Sequence, residues 1–114
     1  METFKQKYTF DQRKYESTKV MRKHILSIPV IVEPHNDKIL RIDKVKFLVP
    51  KELLFSQFMF VIRKRLKINS TESIFIFINN SLPTHSETIQ SLYEKYCDED
   101  GFLYLKYSFE NTFG

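Results

Sequence analysis

LLFSQFMFVIRKRLKI, running from Leu53 to Ile68 just after Pro50, is rich in helix formers and about four turns long, which favours a helix over a strand. At about 100° per residue, Phe55, Met59, Ile62 and Leu66 fall on one stripe. Leu54, Phe58 and Val61 fall on an adjacent stripe that surrounds Arg65. That apolar arc is wider than contact with a single sheet requires. An unpaired guanidinium is costly to bury, so Arg65 places the second stripe at the surface. With Phe47, Val49, Pro50 and Leu53 close by in sequence, the surplus outlines an exposed apolar groove with basic rims. Such a groove suits a short peptide with apolar anchors and acidic flanks; the alternative is that N-terminal helices cover the stripe.

On either side of this helix lie strand-like segments. Ser27 to Glu33 (SIPVIVE) is β-branched and stops at the turn residues Pro34, Asn36 and Asp37, and Lys46 to Val49 (KFLV) ends at Pro50. The His35-Asn36-Asp37-Lys38 region is the natural hairpin connection between them. Downstream, Ile74 to Ile78 (IFIFI) is a continuous apolar run stopped by Asn79-Asn80, as expected of a strand buried on both faces. Ser86 to Tyr96 has helical spacing at Ile89, Leu92, Tyr93 and Tyr96, and Phe102 to Tyr107 (FLYLKY) reads as the last strand after an acidic turn at Asp98 to Gly101. The charged stretch Glu2 to His24 reads as two short helices, with Asp11 as an N-cap. A hairpin, a crossover helix, a strand, a short helix and a final strand is the element order of the ubiquitin-like β-grasp. The expected fold is therefore α+β, a four-stranded mixed sheet with two extra N-terminal helices; another small α+β sandwich with the same element order is the alternative. A groove beside Lys46 to Val49 suggests β-augmentation, with an incoming backbone bonded to the strand edge.

The 114 residues fit one domain, with 11 Phe and 6 Tyr to fill its core. Met1 to Lys67 holds 16 Lys and Arg against 7 Asp and Glu, a balance of +9; Ile68 to Gly114 holds 2 against 7, or −5. The basic half suits an anionic partner, whether nucleic acid, an anionic membrane surface or an acidic peptide. Nucleic acid is disfavoured, because the aromatics sit in apolar strands and not on a basic platform. Cys97 stands alone, which excludes an internal disulfide and cysteine-rich zinc sites, and the sequence reads as lacking a signal peptide and a membrane span. A reducing compartment, cytosolic or nuclear, is expected. His24, His35 and His85 lie in separate elements without ligand spacing, and two glycines cannot form a phosphate loop, so neither metal nor enzymatic chemistry is indicated. Asp98-Glu99-Asp100 reads as a turn. After the last strand, Ser108 to Gly114 reads as a projecting tail ending on a glycine, whose lack of Cβ suits activation of its carboxylate in a narrow channel.

Several dispersed motifs occur together in order: Ile28-Pro29-Val30-Ile31-Val32-Glu33, FLVP at Phe47 to Pro50, QFMFVIRKR at Gln57 to Arg65, INN and LP within Ile78 to Pro83, and DEDGFLY with the FG ending. From Phe10 to Gly114 the chain resembles the autophagy ubiquitin-like modifiers of the GABARAP type. The resemblance implies a non-enzymatic modifier without a cofactor, whose Gly114 is joined to phosphatidylethanolamine through activating and conjugating enzymes and released by a deconjugating cysteine protease. It implies an N-terminal extension over residues 1–25, a β-grasp over 26–108 and a flexible conjugation tail over 109–114. It further implies a soluble, cytoplasmic monomer that moves to autophagosomal or other organelle membranes when lipidated and recruits receptors and adaptors bearing short aromatic-x-x-aliphatic motifs. Carried over by position, the aromatic pocket would use Glu16, Val20, Pro29, Lys46, Leu48 and Phe102. The aliphatic pocket would use Phe47, Val49, Pro50, Leu53, Phe58 and Val61, with Lys46 meeting the partner's acidic flank and Arg65 as a rim cation. The chain departs from the family at His24-Ile25-Leu26-Ser27, where members have Tyr-Pro and then a basic residue, so partner selectivity is expected to differ. Many members also carry residues after the glycine and this sequence has none, which fits a chain born ready for conjugation or one that is processed or truncated. A ubiquitin-like peptide-binding adaptor that is never conjugated is the alternative function.

Overall fold

The computed structural model describes residues 2–110; the conjugation expected at Gly114 lies outside the described residues. In chain order the elements are α1 (Phe4–Lys7), α2 (Phe10–Lys23), β1 (Ser27–Pro34), β2 (Lys46–Pro50), α3 (Phe55–Leu66), β3 (Phe75–Phe77), α4 (Ile89–Tyr96) and β4 (Leu103–Ser108). The strands form one mixed sheet in the order β2-β1-β4-β3, with β1 and β4 parallel and the other two pairs antiparallel.

β1 is buried almost throughout, from Ile28 to Pro34. Its alternating side chains serve two separate cores. Ile28, Val30 and Val32 face Phe55, Phe58, Ile62 and Leu66 of α3, while Ile31 packs with Phe4 and Phe102 on the opposite side of the sheet. Each side chain fully removed from water there contributes roughly 1.5–3 kcal/mol. The N-terminal helices therefore cover the face opposite α3, and they leave Val61 38% exposed; they do not blanket the second stripe of α3. Phe58, assigned to that surface stripe by the helical wheel, is instead a core residue at 2% exposure, because its ring stands edge-on to Phe47 at 5.4 Å.

Two helix starts differ from the sequence reading for the same reason. Threonines in extended backbone do the capping: Thr3 and Thr9 accept from the backbones of Gln6 and Gln12, whose side chains bond back in reciprocal capping boxes. Asp11 thus lies inside the first turn of α2 and is not its cap. α4 begins at Ile89, three residues later than Ser86, where Thr88 accepts from Ser91 N at 3.1 Å. The Asn79-Asn80 stop is a left-handed pair (φ 48° and 65°) closing the Ile78–Ser81 bridge, a conformation that asparagine tolerates. The connection over residues 35–45 is held to the sheet by Tyr107, whose hydroxyl accepts from Ile42 N at 2.8 Å and donates to Leu40 O at 2.5 Å. At the other end, Ser108 is a buried strand residue and Phe109 packs against the core with its ring 6.4 Å from Tyr107, so the chain projects no earlier than Glu110.

The expected acidic turn does form, and it also holds a buried carboxylate. Asp100 is fully buried and sits at the centre of a polar node. Its Oδ2 accepts from Arg13 Nε at 2.8 Å and from the Tyr104 hydroxyl at 2.5 Å, and its Oδ1 accepts from Phe102 N at 2.9 Å. Burial, reinforced by the bond to Asp100, pushes the Tyr104 phenol far up, so it stays a donor. Arg13 also donates to the carbonyls of Tyr8 and Lys5 at 2.6 and 3.3 Å, which ties the end of α1 into the same node. Ser17 Oγ donates to Asp100 O at 2.5 Å, and Gly101 (φ +90°) must be glycine because a Cβ there would overlap Ser17 Oγ. Breaking a buried pair from one side strands a charge. Arg13→Ala is therefore expected to cost about 3 kcal/mol or more in urea denaturation, and the double variant Arg13→Ala/Asp100→Asn to recover part of that loss.

Candidate functional site

β2 is an edge strand, and its register sets which groups it offers. Lys51 N donates to Leu26 O at 2.9 Å, and Val32 N donates to Val45 O at 2.9 Å. With Ser27 opposite Pro50 and Ile31 opposite Lys46, these bonds fix the alternation: Val49 and Phe47 bond to β1, while Lys46 and Leu48 turn their N–H and C=O outward. Pro29 fits the same scheme. It lies opposite Leu48 and just before the parallel pairing of β1 with β4 begins at Val30–Leu103, so its missing N–H breaks no ladder bond.

Side chains of β2 alternate around this edge, with Phe47 and Val49 buried and Lys46, Leu48 and Pro50 exposed. On the α2 side, Leu48, Pro29 and Phe102 form one row across the sheet, since Pro29 opposes Leu48 and Phe102 immediately precedes Leu103. Pro29 and Phe102 are buried, and Leu48 keeps 40% of its surface open. Phe102 is backed by Phe4, edge-on at 5.1 Å. Glu16 reaches across from α2 to Lys46 Nζ at 2.9 Å, and Val20, half-buried one turn further on, shares that face. The six residues assigned to an aromatic pocket are thus brought to one place.

On the α3 side the six others form a graded set. Phe47, Val49 and Phe58 are core, Leu53 is half-buried against them, and Val61 is exposed. Pro50 is exposed at the strand's end and falls by alternation on the Leu48 side, so it borders the aliphatic residues without joining their row. Arg65, one turn beyond Val61, is at the surface as its apolar neighbours required, with its guanidinium 3.6 Å from Asp43 in an exposed pair. Surface pairs of this kind are weak and exchange partners easily, as does Lys46–Glu16.

Near the Lys46 end lies a cleft of about 450 Å³ with Phe4, Tyr8 and Val45 in its lining and Lys7, Arg41, Lys44 and Lys46 around it, alongside Glu2 and Glu33. Lys7, Arg41 and Lys44 escaped the sequence reading because Lys7 lies more than thirty residues from the other two; the excess of positive charge in the first 67 residues was the one signal of them. Glu33 is not free to oppose them. It is buried, accepting from Phe4 N at 2.7 Å and Lys106 Nζ at 3.3 Å. Among the described residues there is no cluster of His, Cys, Asp and Glu able to hold a metal, and no helix long and apolar enough to cross a membrane.

Comparison with known proteins agrees with this architecture. Residues 12–114 match the family described as "Autophagy protein Atg8 ubiquitin like". Autophagy-related protein 8 of Pichia angusta is 47% identical over 112 residues, covering 97% of this chain and 90% of the relative. Autophagy-related protein 8e of Arabidopsis thaliana is 48% identical, covering 97% and 92%. The crystal structure of Trypanosoma brucei ATG8 superposes with a TM-score of 0.89 at 39% identity, covering all of this chain and 99% of the other. Plasmodium falciparum Atg8, solved in complex with a Plasmodium falciparum Atg3 peptide, superposes at 0.87 with 36% identity, covering 96% and 98%.

The graded burial separates lining from core. Phe58→Ala is expected to cost about 3–5 kcal/mol. Leu48→Ala and Val61→Ala are expected to stay within about 0.5 kcal/mol of the parent in the same urea titration.

Proposed function

The chain belongs to the Atg8 family of ubiquitin-like autophagy proteins, non-enzymatic modifiers, and we propose that it is joined through Gly114 to phosphatidylethanolamine and recruits motif-bearing partners along β2. The observation that carries the docking half is the open β2 edge. Lys46 and Leu48 present backbone donors and acceptors outward, and apolar surfaces lie on both sides of the strand. A peptide strand added there sends alternate side chains to opposite faces, an aromatic one over Leu48, Pro29 and Phe102 and an aliphatic one over Leu53 and Val61. Lys46, released from Glu16, and the cations of Lys44 and Arg41 meet the acidic residues flanking such a motif. An Atg3-type conjugating enzyme is one expected partner, by analogy with the Plasmodium complex. An activating enzyme, a deconjugating protease and autophagy receptors complete the set that the family implies.

Conjugation makes membrane attachment switchable. A phospholipid brings two acyl chains, and at about 0.8 kcal/mol per buried CH₂ two chains hold stably where one is marginal. The protein is thus expected on autophagosomal membranes when lipidated and in the cytoplasm when free.

Both halves can be measured. A fluorescent peptide with an aromatic-x-x-aliphatic motif and acidic flanks is expected to bind the Leu48→Ala variant roughly tenfold more weakly, a loss of about 1.4 kcal/mol. Lys46→Ala is expected to lose less and to lower the salt dependence; unchanged affinity in both variants would refute docking at β2. Intact mass and C-terminal fragmentation of the membrane-bound protein are expected to place a phosphatidylethanolamine adduct on Gly114. An unmodified glycine in every membrane fraction would leave an unconjugated adaptor.

A further inference from the structure

Leu26 and Ile25 occupy the turn between α2 and β1, and at 75% and 69% exposure they are barer than any other large aliphatic side chain among the described residues. The turn is nevertheless firmly held. His24 N donates to Val20 O at 2.8 Å, Ser27 N to His24 O at 3.1 Å, and Leu26 O accepts from Lys51 N at 2.9 Å. The backbone is fixed and both side chains are held outward.

Their surroundings are positive. Between Ser17 and Val32 there is no Asp or Glu, while Lys19, Arg22 and Lys23 are exposed and, among the described residues, form no ion pair. Lys51, at the foot of the turn, is offset by its neighbour Glu52. Tyr15, 70% exposed, lies one turn before Lys19 and two before Arg22, so the three share a helix face that runs into the turn. Two bare aliphatics on a rigid turn, a cluster of unpaired cations and an exposed tyrosine match the chemistry of a negatively charged lipid–water interface. There the apolar tips insert, the cations meet headgroups and the phenol sits at the boundary. A peptide partner would call for a concave seat, whereas this element projects.

We propose that the face formed by Tyr15, Lys19, Arg22, Lys23, Ile25 and Leu26 docks reversibly on anionic bilayers. It requires no lipid on the C-terminus, so it stands apart from conjugation at Gly114. The test is co-flotation of the full, unconjugated chain with phosphatidylcholine vesicles, with and without phosphatidylserine, at low and at physiological salt. Binding is expected on the phosphatidylserine vesicles alone and to fall as salt rises. Ile25→Ser/Leu26→Ser is expected to weaken it roughly tenfold or more, and Lys19→Ala/Arg22→Ala/Lys23→Ala by roughly fivefold per cation. Every replaced group is exposed, and an unchanged melting curve verifies folding. Equal binding to both vesicle types, no binding at all, or parental binding by both variants would overturn the proposal. A double variant that floats normally but loses affinity for a β2-docking peptide would assign the turn to the peptide groove instead.

Discussion

A strand with seven consecutive buried residues needs apolar cover on both faces, and β1 imposes that need on everything around it. α3 meets it on one side with Phe55, Phe58, Ile62 and Leu66. On the other side a bare sheet would leave Ile31 and Phe102 wet, and the short α1 brings Phe4 to close over them. A helix of four residues cannot hold itself in place in water, since helix nucleation is unfavourable and its few internal bonds do not offset it. Its position is supplied from outside, by Glu33 accepting from Phe4 N and by Arg13 binding the carbonyls at its end.

The same node shapes the candidate site. Arg13 and Ser17 lock α2 to Asp100, while Tyr93 donates to Gly101 O and brings α4 to the turn. With α2 so fixed, Glu16 and Val20 stand beside β2, and one wall of the proposed docking surface depends on a buried carboxylate that holds the helix behind it. Ordinary surface pairs would not suffice. Lys46–Glu16 and Arg65–Asp43 are exposed and contribute little to position, which leaves them available to exchange for a partner's acids.

Much of this was legible in the amino acids. The strands and α3 follow from β-branched runs, proline stops and helical spacing, and Arg65 among apolar residues correctly marked a stripe that reaches the surface. What the sequence hid was whatever depends on distant partners. Asp100 read only as part of a turn, and the approach of Arg13 and Tyr104 is what makes its burial favourable. Phe58 looked like groove because a helical wheel has no knowledge of Phe47 opposite. Asp11 looked like a cap because local propensity does not separate Asp from Thr two residues earlier. The cations Lys7, Arg41 and Lys44 share one cleft because folding brings α1 onto the connection between β1 and β2. The outward bonding of Lys46 and Leu48 needed the register, which composition does not encode.

The parallel pairing of β1 with β4 has a geometric consequence. Because both strands run the same way, the chain enters the sheet at Ser27 and leaves it after Ser108 at opposite ends, and eight residues of strand at about 3.3 Å each separate them by roughly 25 Å. An antiparallel pair would have brought entry and exit together. The sheet therefore acts as a rigid spacer: the end of β4 at Ser108 stands a fixed strand-length away from the Ile25-Leu26 turn, with the β2 edge running along part of the gap between them.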